Sequence, residues 1–131
     1  ILGMGDKPFL EKLKWFRARC QDMRIKWEDG HVRIRIRRAQ LLEDSFNSFL
    51  KLKPMDMRRY FRFEFIGEPG VDAGGVAREW FGLVSDMCYN VDFGLFEYSG
   101  VDNVCYQINP SSGIANDLHH KYFRFLGRLL G

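Results

Sequence analysis

At 131 residues the chain is long enough for one domain, or part of one, with a buried core. Its 46% hydrophobic and 15% aromatic content excludes disorder as the main state, and a net charge of +3 is too mild to name a nucleic-acid partner by bulk electrostatics. No apolar run approaches the roughly 20 residues that cross a bilayer and no signal-peptide pattern opens the chain, so no membrane span is expected.

Asp6-Lys7-Pro8 announces a helix, with a capping acid followed by proline near the first helical position. Phe9, Leu13, Phe16 and Cys20 then form an apolar stripe that needs something to lie against. Asp29-Gly30, between short apolar runs, predicts a hairpin turn. Its second arm alternates Val32, Ile34 and Ile36 with Arg33, Arg35 and Arg37. From Gln40 to Leu50 the helical period returns at Leu42, Phe46, Phe49 and Leu50, ending before Pro54, which opens a short helix over Met55 to Tyr60.

Phe61, Phe63 and Phe65 alternate with Arg62 and Glu64 as in a half-buried strand, which Gly67, Pro69 and Gly70 terminate. Asp72 then fits the cap of a helix whose apolar face carries Ala77, Trp80, Phe81, Val84, Met87 and Cys88. Trp80 and Phe81 are expected to pack on Phe63 and Phe65. After a turn-rich loop over Tyr89–Gly94, Phe96 and Tyr98 alternate with Glu97, and Val104, Tyr106 and Ile108 alternate with Cys105 and Gln107, which predicts a second hairpin. Asn116 or Asp117 is expected to cap a last helix with the stripe Leu118, Tyr122, Phe125, Leu126 and Leu129. Leu126, Leu129 and Leu130 are expected to leave apolar surface there. The pattern is α+β, mostly helical with short antiparallel strands.

Several of these stretches resemble one family in the same order. Gly70-Val71-Asp72-Ala73-Gly74-Gly75-Val76-Ala77-Arg78-Glu79-Trp80 closely resembles the signature of HECT-type ubiquitin ligases. Phe93–Ser99 and Gln107–Ser112 match further blocks, His120–Arg128 resembles the helix that follows, and Leu42–Phe46 fits an earlier one. The resemblance spans about residues 9 to 131 and is nearest to the group that also carries WW domains. It implies that residues 1–131 are the first part of the N-terminal lobe, which is helix-rich with small sheets. The family receives ubiquitin as a thioester on a cysteine of a C-terminal lobe and passes it to substrate lysines. That lobe and the subdomain that docks the conjugating enzyme would lie downstream. The implied partners are ubiquitin, a ubiquitin-conjugating enzyme reached through the missing part, and protein substrates, with no cofactor.

The same resemblance places a noncovalent ubiquitin-binding surface on Asn90, Phe93, Tyr98 and Asn109. Where the family usually has Pro-Tyr-Tyr, this chain has Val91, Asp92 and Phe93. For Tyr98, ordinary cross-strand packing is an equal alternative.

The residues themselves offer no converging catalytic site. Cys20, Cys88 and Cys105 are an odd number without a secretion signal, and read as reduced thiols of a cytosolic or nuclear protein. Cys20 and Cys88 fall on apolar helix faces, where cysteine acts as a small hydrophobe, and none of the three matches the family nucleophile. Ser111, Ser112, His119 and His120 lack a nucleophile elbow, and the glycines at 70, 74 and 75 lack the ending of a phosphate loop. Arg78-Glu79 reads as a structural ion pair or capping set rather than an acid–base pair. Arg33, Arg35 and Arg37 suit phosphate contacts, but no stacking aromatics interleave with them, so a solvated outer strand face is expected and no nucleic-acid partner. A noncatalytic ubiquitin- or peptide-binding module is the alternative to the ligase reading.

Overall fold

The computed structural model describes residues 3–69, 73–101 and 104–131. Each stretch with strong helical periodicity forms a helix: α1 (Phe9–Met23), α2 (Leu41–Lys51), α3 (Ala73–Tyr89) and, after the single turn α4 (Ser112–Ala115), α5 (His119–Leu130). The alternating stretches are strands β1 (Val32–Ile36), β2 (Phe61–Phe65), β3 (Phe96–Tyr98) and β4 (Tyr106–Ile108). Among the described residues they make two two-stranded sheets, and the fold is α+β with helix dominant.

The first sheet differs from the expected hairpin. β1 pairs with β2 in parallel, with Ile34 opposite Phe63 and Ile36 opposite Phe65. A parallel pair needs a crossover, and α2 lies between the two strands in sequence to supply it. Trp27–Asp29 forms one 3-10 turn instead of closing a hairpin. The amides of Ile25 and Val32 then donate to the carbonyls of Arg58 and Tyr60, both at 2.8 Å, so the lead-in to β1 runs beside the lead-in to β2. Gly30 is needed there for two reasons. Its φ is 109°, and a Cβ would fall 2.7 Å from Arg59 Nη1. That guanidinium donates to the Asp29 carbonyl at 2.6 Å. The short helix expected after Pro54 is a single 3-10 turn, Asp56–Arg58.

Alternation along β1 and β2 puts Ile34, Ile36, Phe63 and Phe65 inside, where Phe46 and Phe49 of α2, Trp80, Val84 and Cys88 of α3, and Phe125 and Leu126 of α5 complete the core. Positions 80, 84 and 88 recur every four residues and so form the buried line of α3. Phe81 and Met87 flank that line and remain 42% and 44% exposed, contrary to the wider apolar face expected. Phe81 still packs edge-on against Phe63, with ring centroids 5.9 Å apart. Asp72, the expected cap of α3, lies outside the described residues. On α5 the burial reaches Leu126, which is 3% exposed, so the expected apolar surface narrows to half-buried Leu129 and to Leu130 at 74% exposure. No residue of α1 is buried, and Phe9 and Phe16 of its stripe are exposed.

The outward arginines meet acids. Glu64 of β2 receives Arg33 at 3.4 Å, Arg35 at 4.0 Å and Arg62 at 3.1 Å. Arg38 lies over the Phe65 ring at 4.1 Å and bridges Glu68 and Glu79, so Glu79 pairs with Arg38 rather than with its neighbour Arg78. Arg37 grips Asp44 with its guanidinium and its backbone amide. Those hydrogen bonds hold the Asp44 carboxyl below its usual range, at about 2. A depressed carboxylate stabilises the fold fully above its unfolded-state value and ceases to do so as pH falls through its folded one. Asp44→Asn is therefore expected to flatten the acid limb of stability between about pH 4 and pH 2, as read by denaturant midpoints across that range. An unchanged acid limb would mean the pair contributes nothing.

Candidate functional site

Polar side chains shape the loop between α3 and β3. Asn90 caps the 3-10 turn Val91–Phe93, its Oδ1 accepting the Asp92 amide at 2.9 Å. Gly94 follows with φ of 80°, and a Cβ there would strike the Ala115 side chain at 2.5 Å. Asn109 Nδ2 donates to the Gly94 carbonyl and Asn109 Oδ1 accepts the Ser111 amide, each at 2.9 Å. Asn116 Nδ2 donates to the Phe93 carbonyl. Asn116 therefore clamps the loop and does not cap α5, whose cap position is Leu118 with no side-chain bond.

Beside this loop the second sheet forms as the alternation predicts. β3 and β4 are antiparallel, with Phe96 opposite Ile108, Glu97 opposite Gln107 and Tyr98 opposite Tyr106. Gln107 Nε2 donates to Glu97 Oε1 at 2.7 Å on one face. On the other, the Tyr98 and Tyr106 rings lie 5.1 Å apart, and Tyr106 continues to Tyr89 of α3 at 5.8 Å. The hydrogen bond with Tyr98 raises the Tyr106 hydroxyl pKa. These rings wall a surface cleft of about 290 Å³, completed by Asp86, Asn90 and Val91.

The four residues singled out from sequence thus separate. Asn90 and Tyr98 line the one cleft. Phe93 is half-buried and sits edge-on against Tyr122 at 5.2 Å. Asn109 spends both ends of its amide on backbone groups and acts by holding the loop. Asp86, Tyr89 and Tyr106 were missed. Only the in-register pairing of β4 with β3 and the position of the last turn of α3 bring them together, although the alternation at Tyr106 did mark its face.

Nucleophilic chemistry is not assembled among the described residues. Ser112 Oγ lies 3.0 Å from His119 Nδ1, but Ser112 is buried and the contact joins α4 to α5. No group of three His, Cys, Asp or Glu could hold a metal ion among the described residues. Cys88 is buried, which pushes its thiol up to about 11, while Cys20 and Cys105 are exposed. The buried-hydrophobe role expected of Cys20 therefore does not apply. With a thiol-specific chromophoric disulfide, Cys20 and Cys105 are expected to react in the native protein and Cys88 only on unfolding. Equal rates for all three would contradict that burial.

Among the described residues no helix is long and apolar enough to cross a membrane. No family model matches the chain. It is 42% identical over 129 residues to E3 ubiquitin-protein ligase NEDD4 of Mus musculus, covering 95% of this chain and 14% of that protein. It is 42% identical over 131 residues to E3 ubiquitin-protein ligase Smurf1 of Drosophila melanogaster, covering 100% of this chain and 12% of the relative. E3 ubiquitin-protein ligase RSP5 of Saccharomyces cerevisiae is 40% identical over 125 residues, covering 95% of this chain and 15% of its own length. The chain thus spans a small part of the relatives it matches.

Proposed function

Because this chain belongs to the HECT-type E3 ubiquitin-protein ligases as one homologous stretch of those longer proteins, we propose that it is a scaffold segment that also holds ubiquitin noncovalently. The whole protein would pass ubiquitin through a cysteine thioester to substrate lysines, with a conjugating enzyme docking on a part beyond this stretch. The burial of Cys88, which pushes its thiol up to about 11, supports a nucleophile elsewhere. Three unpaired thiols suit a reducing compartment, cytosolic or nuclear.

One observation carries the binding reading: Tyr98 and Tyr106 are 39% and 46% exposed, in register on one hairpin face, with exposed Ile108 beyond them. Exposed aromatics with a polar surround anchor interfaces, and one small patch offsets association entropy only partly, so affinity should be micromolar or weaker. Titrating labelled ubiquitin with the protein should give saturable binding. Tyr98→Ala should weaken it about tenfold, the size of a modest hot spot. Phe93→Ala should act mainly through stability, because that ring packs on Tyr122. Absence of saturation up to about millimolar ubiquitin would refute the binding role.

A further inference from the structure

The cleft beside the hairpin has a chemical character beyond an apolar patch. Asp86 lies in its lining, in the last turn of α3, and its carboxylate makes no hydrogen bond or ion pair among the described residues. The C-terminal turn of a helix already carries partial negative charge from its free carbonyls, so an acid there is at the unfavourable end. α3 has no basic residue in its last turn to compensate. The lining also includes Tyr89, three residues on in α3, and Tyr106 and Tyr98 of the hairpin, whose rings adjoin one another at 5.8 and 5.1 Å. The rings are tilted by 51° and 32° to their neighbours and line the same cleft as the carboxylate.

We propose that this cleft receives an arginine side chain of the docked protein partner, with its guanidinium stacked on the tyrosine wall and paired to Asp86. The inference rests on the proposed ubiquitin-binding role for the identity of that partner, but the cleft chemistry stands apart from it. Aromatic faces attract cations through their quadrupole, and a planar guanidinium stacks there while forking onto a carboxylate. Lysine offers only a compact, strongly hydrated charge and fits the long wall less well. The cleft volume of about 290 Å³ admits one such side chain but not a folded element. Elsewhere the acids nearest to arginines are already paired: Glu64, Glu68 and Glu79 each hold an internal guanidinium. Asp86 is the carboxylate in this cleft left for an external one.

Two titrations decide it, both on the intact chain and on Asp86→Asn. The first uses ubiquitin, at low and at physiological salt. The second uses N-acetyl-arginine amide, with the uncharged N-acetyl-citrulline amide as control, followed by amide shifts of Asp86, Tyr98 and Tyr106. Expected are a salt-sensitive ubiquitin affinity that Asp86→Asn weakens about threefold to tenfold, and arginine-selective shifts at the cleft that vanish in the variant. Asp86→Asn should keep or slightly raise the melting temperature, since it removes an acid from a helix C-terminus, so lost binding would not reflect lost folding. Ubiquitin binding that Asp86→Asn leaves unchanged, with no arginine-selective shifts, would overturn the guanidinium site and leave the ubiquitin role standing. Arginine-selective binding without ubiquitin binding would keep the site and reject that partner. Neither ligand binding would overturn both.

Discussion

Trp80→Ala should lower unfolding free energy by about 3–5 kcal/mol, the range for deleting a buried large aromatic. Trp80 is fully buried, stacked on Phe63 with centroids 4.1 Å apart and on Phe49 at 5.4 Å, so it joins β2, α2 and α3. Its indole Nε1 donates to Ser45 Oγ at 2.9 Å, and that hydroxyl donates to the Leu41 carbonyl at 2.6 Å. Truncation removes the ring and the interlock together. Ser45→Ala separates the two, because it keeps the ring and strands the indole N–H without its acceptor, at an expected cost of about 1–3 kcal/mol. Denaturant unfolding measures both. A loss below about 1 kcal/mol for Trp80→Ala would show that the ring is not the hub of this core.

Arg128→Met should cost about 2–3 kcal/mol, because one charged donor closes the end of another helix. Arg128 Nη1 donates to the carbonyls of Phe49, Leu50 and Leu52 around the C-terminus of α2, where the Phe49 carbonyl also takes the Leu52 amide at 3.3 Å. Pro54 follows shortly and supplies no amide, so no helical continuation would satisfy the Leu50 carbonyl. The half-buried guanidinium also opposes the negative end of the α2 dipole. Arg128→Lys should recover only part of the loss through charge alone, because a compact, strongly hydrated ammonium is costlier to hold half-buried than a guanidinium. Equal stability of Met and Lys variants would mean the charge is irrelevant.

Those two residues show different degrees of legibility. Trp80 sits at the centre of a helical stripe beside an alternating strand, so its burial followed from spacing. Arg128 looked like one more cation on a polar helix face, and its partners lie more than 70 residues earlier. The second hairpin was legible because its strands adjoin in sequence and alternate in phase. The first was misread because Asp29-Gly30 signals a turn equally well whether or not the chain folds back on itself.

The candidate site divides in the same way. Asn90 and Tyr98 came from the family resemblance and meet in one cleft, while Phe93 and Asn109 serve packing and the backbone. Asp86 and Tyr89 belong to α3 and Tyr106 to β4, so no local pattern groups them.

What the sequence determined alone is what short-range periodicity encodes: where helices and strands run, which faces are apolar, and, through its ordered motifs, the family. Spacings of three, four and two residues act within one element, where backbone geometry leaves few choices. The tertiary structure alone decided that β1 joins β2 in parallel and that Asn116 clamps a loop in place of a cap. It also turned Arg128 to the end of α2 and brought Asp86 into one cleft with three tyrosines. Each of these depends on which distant group satisfies a polar atom or covers a ring, and that choice is settled only when the elements pack.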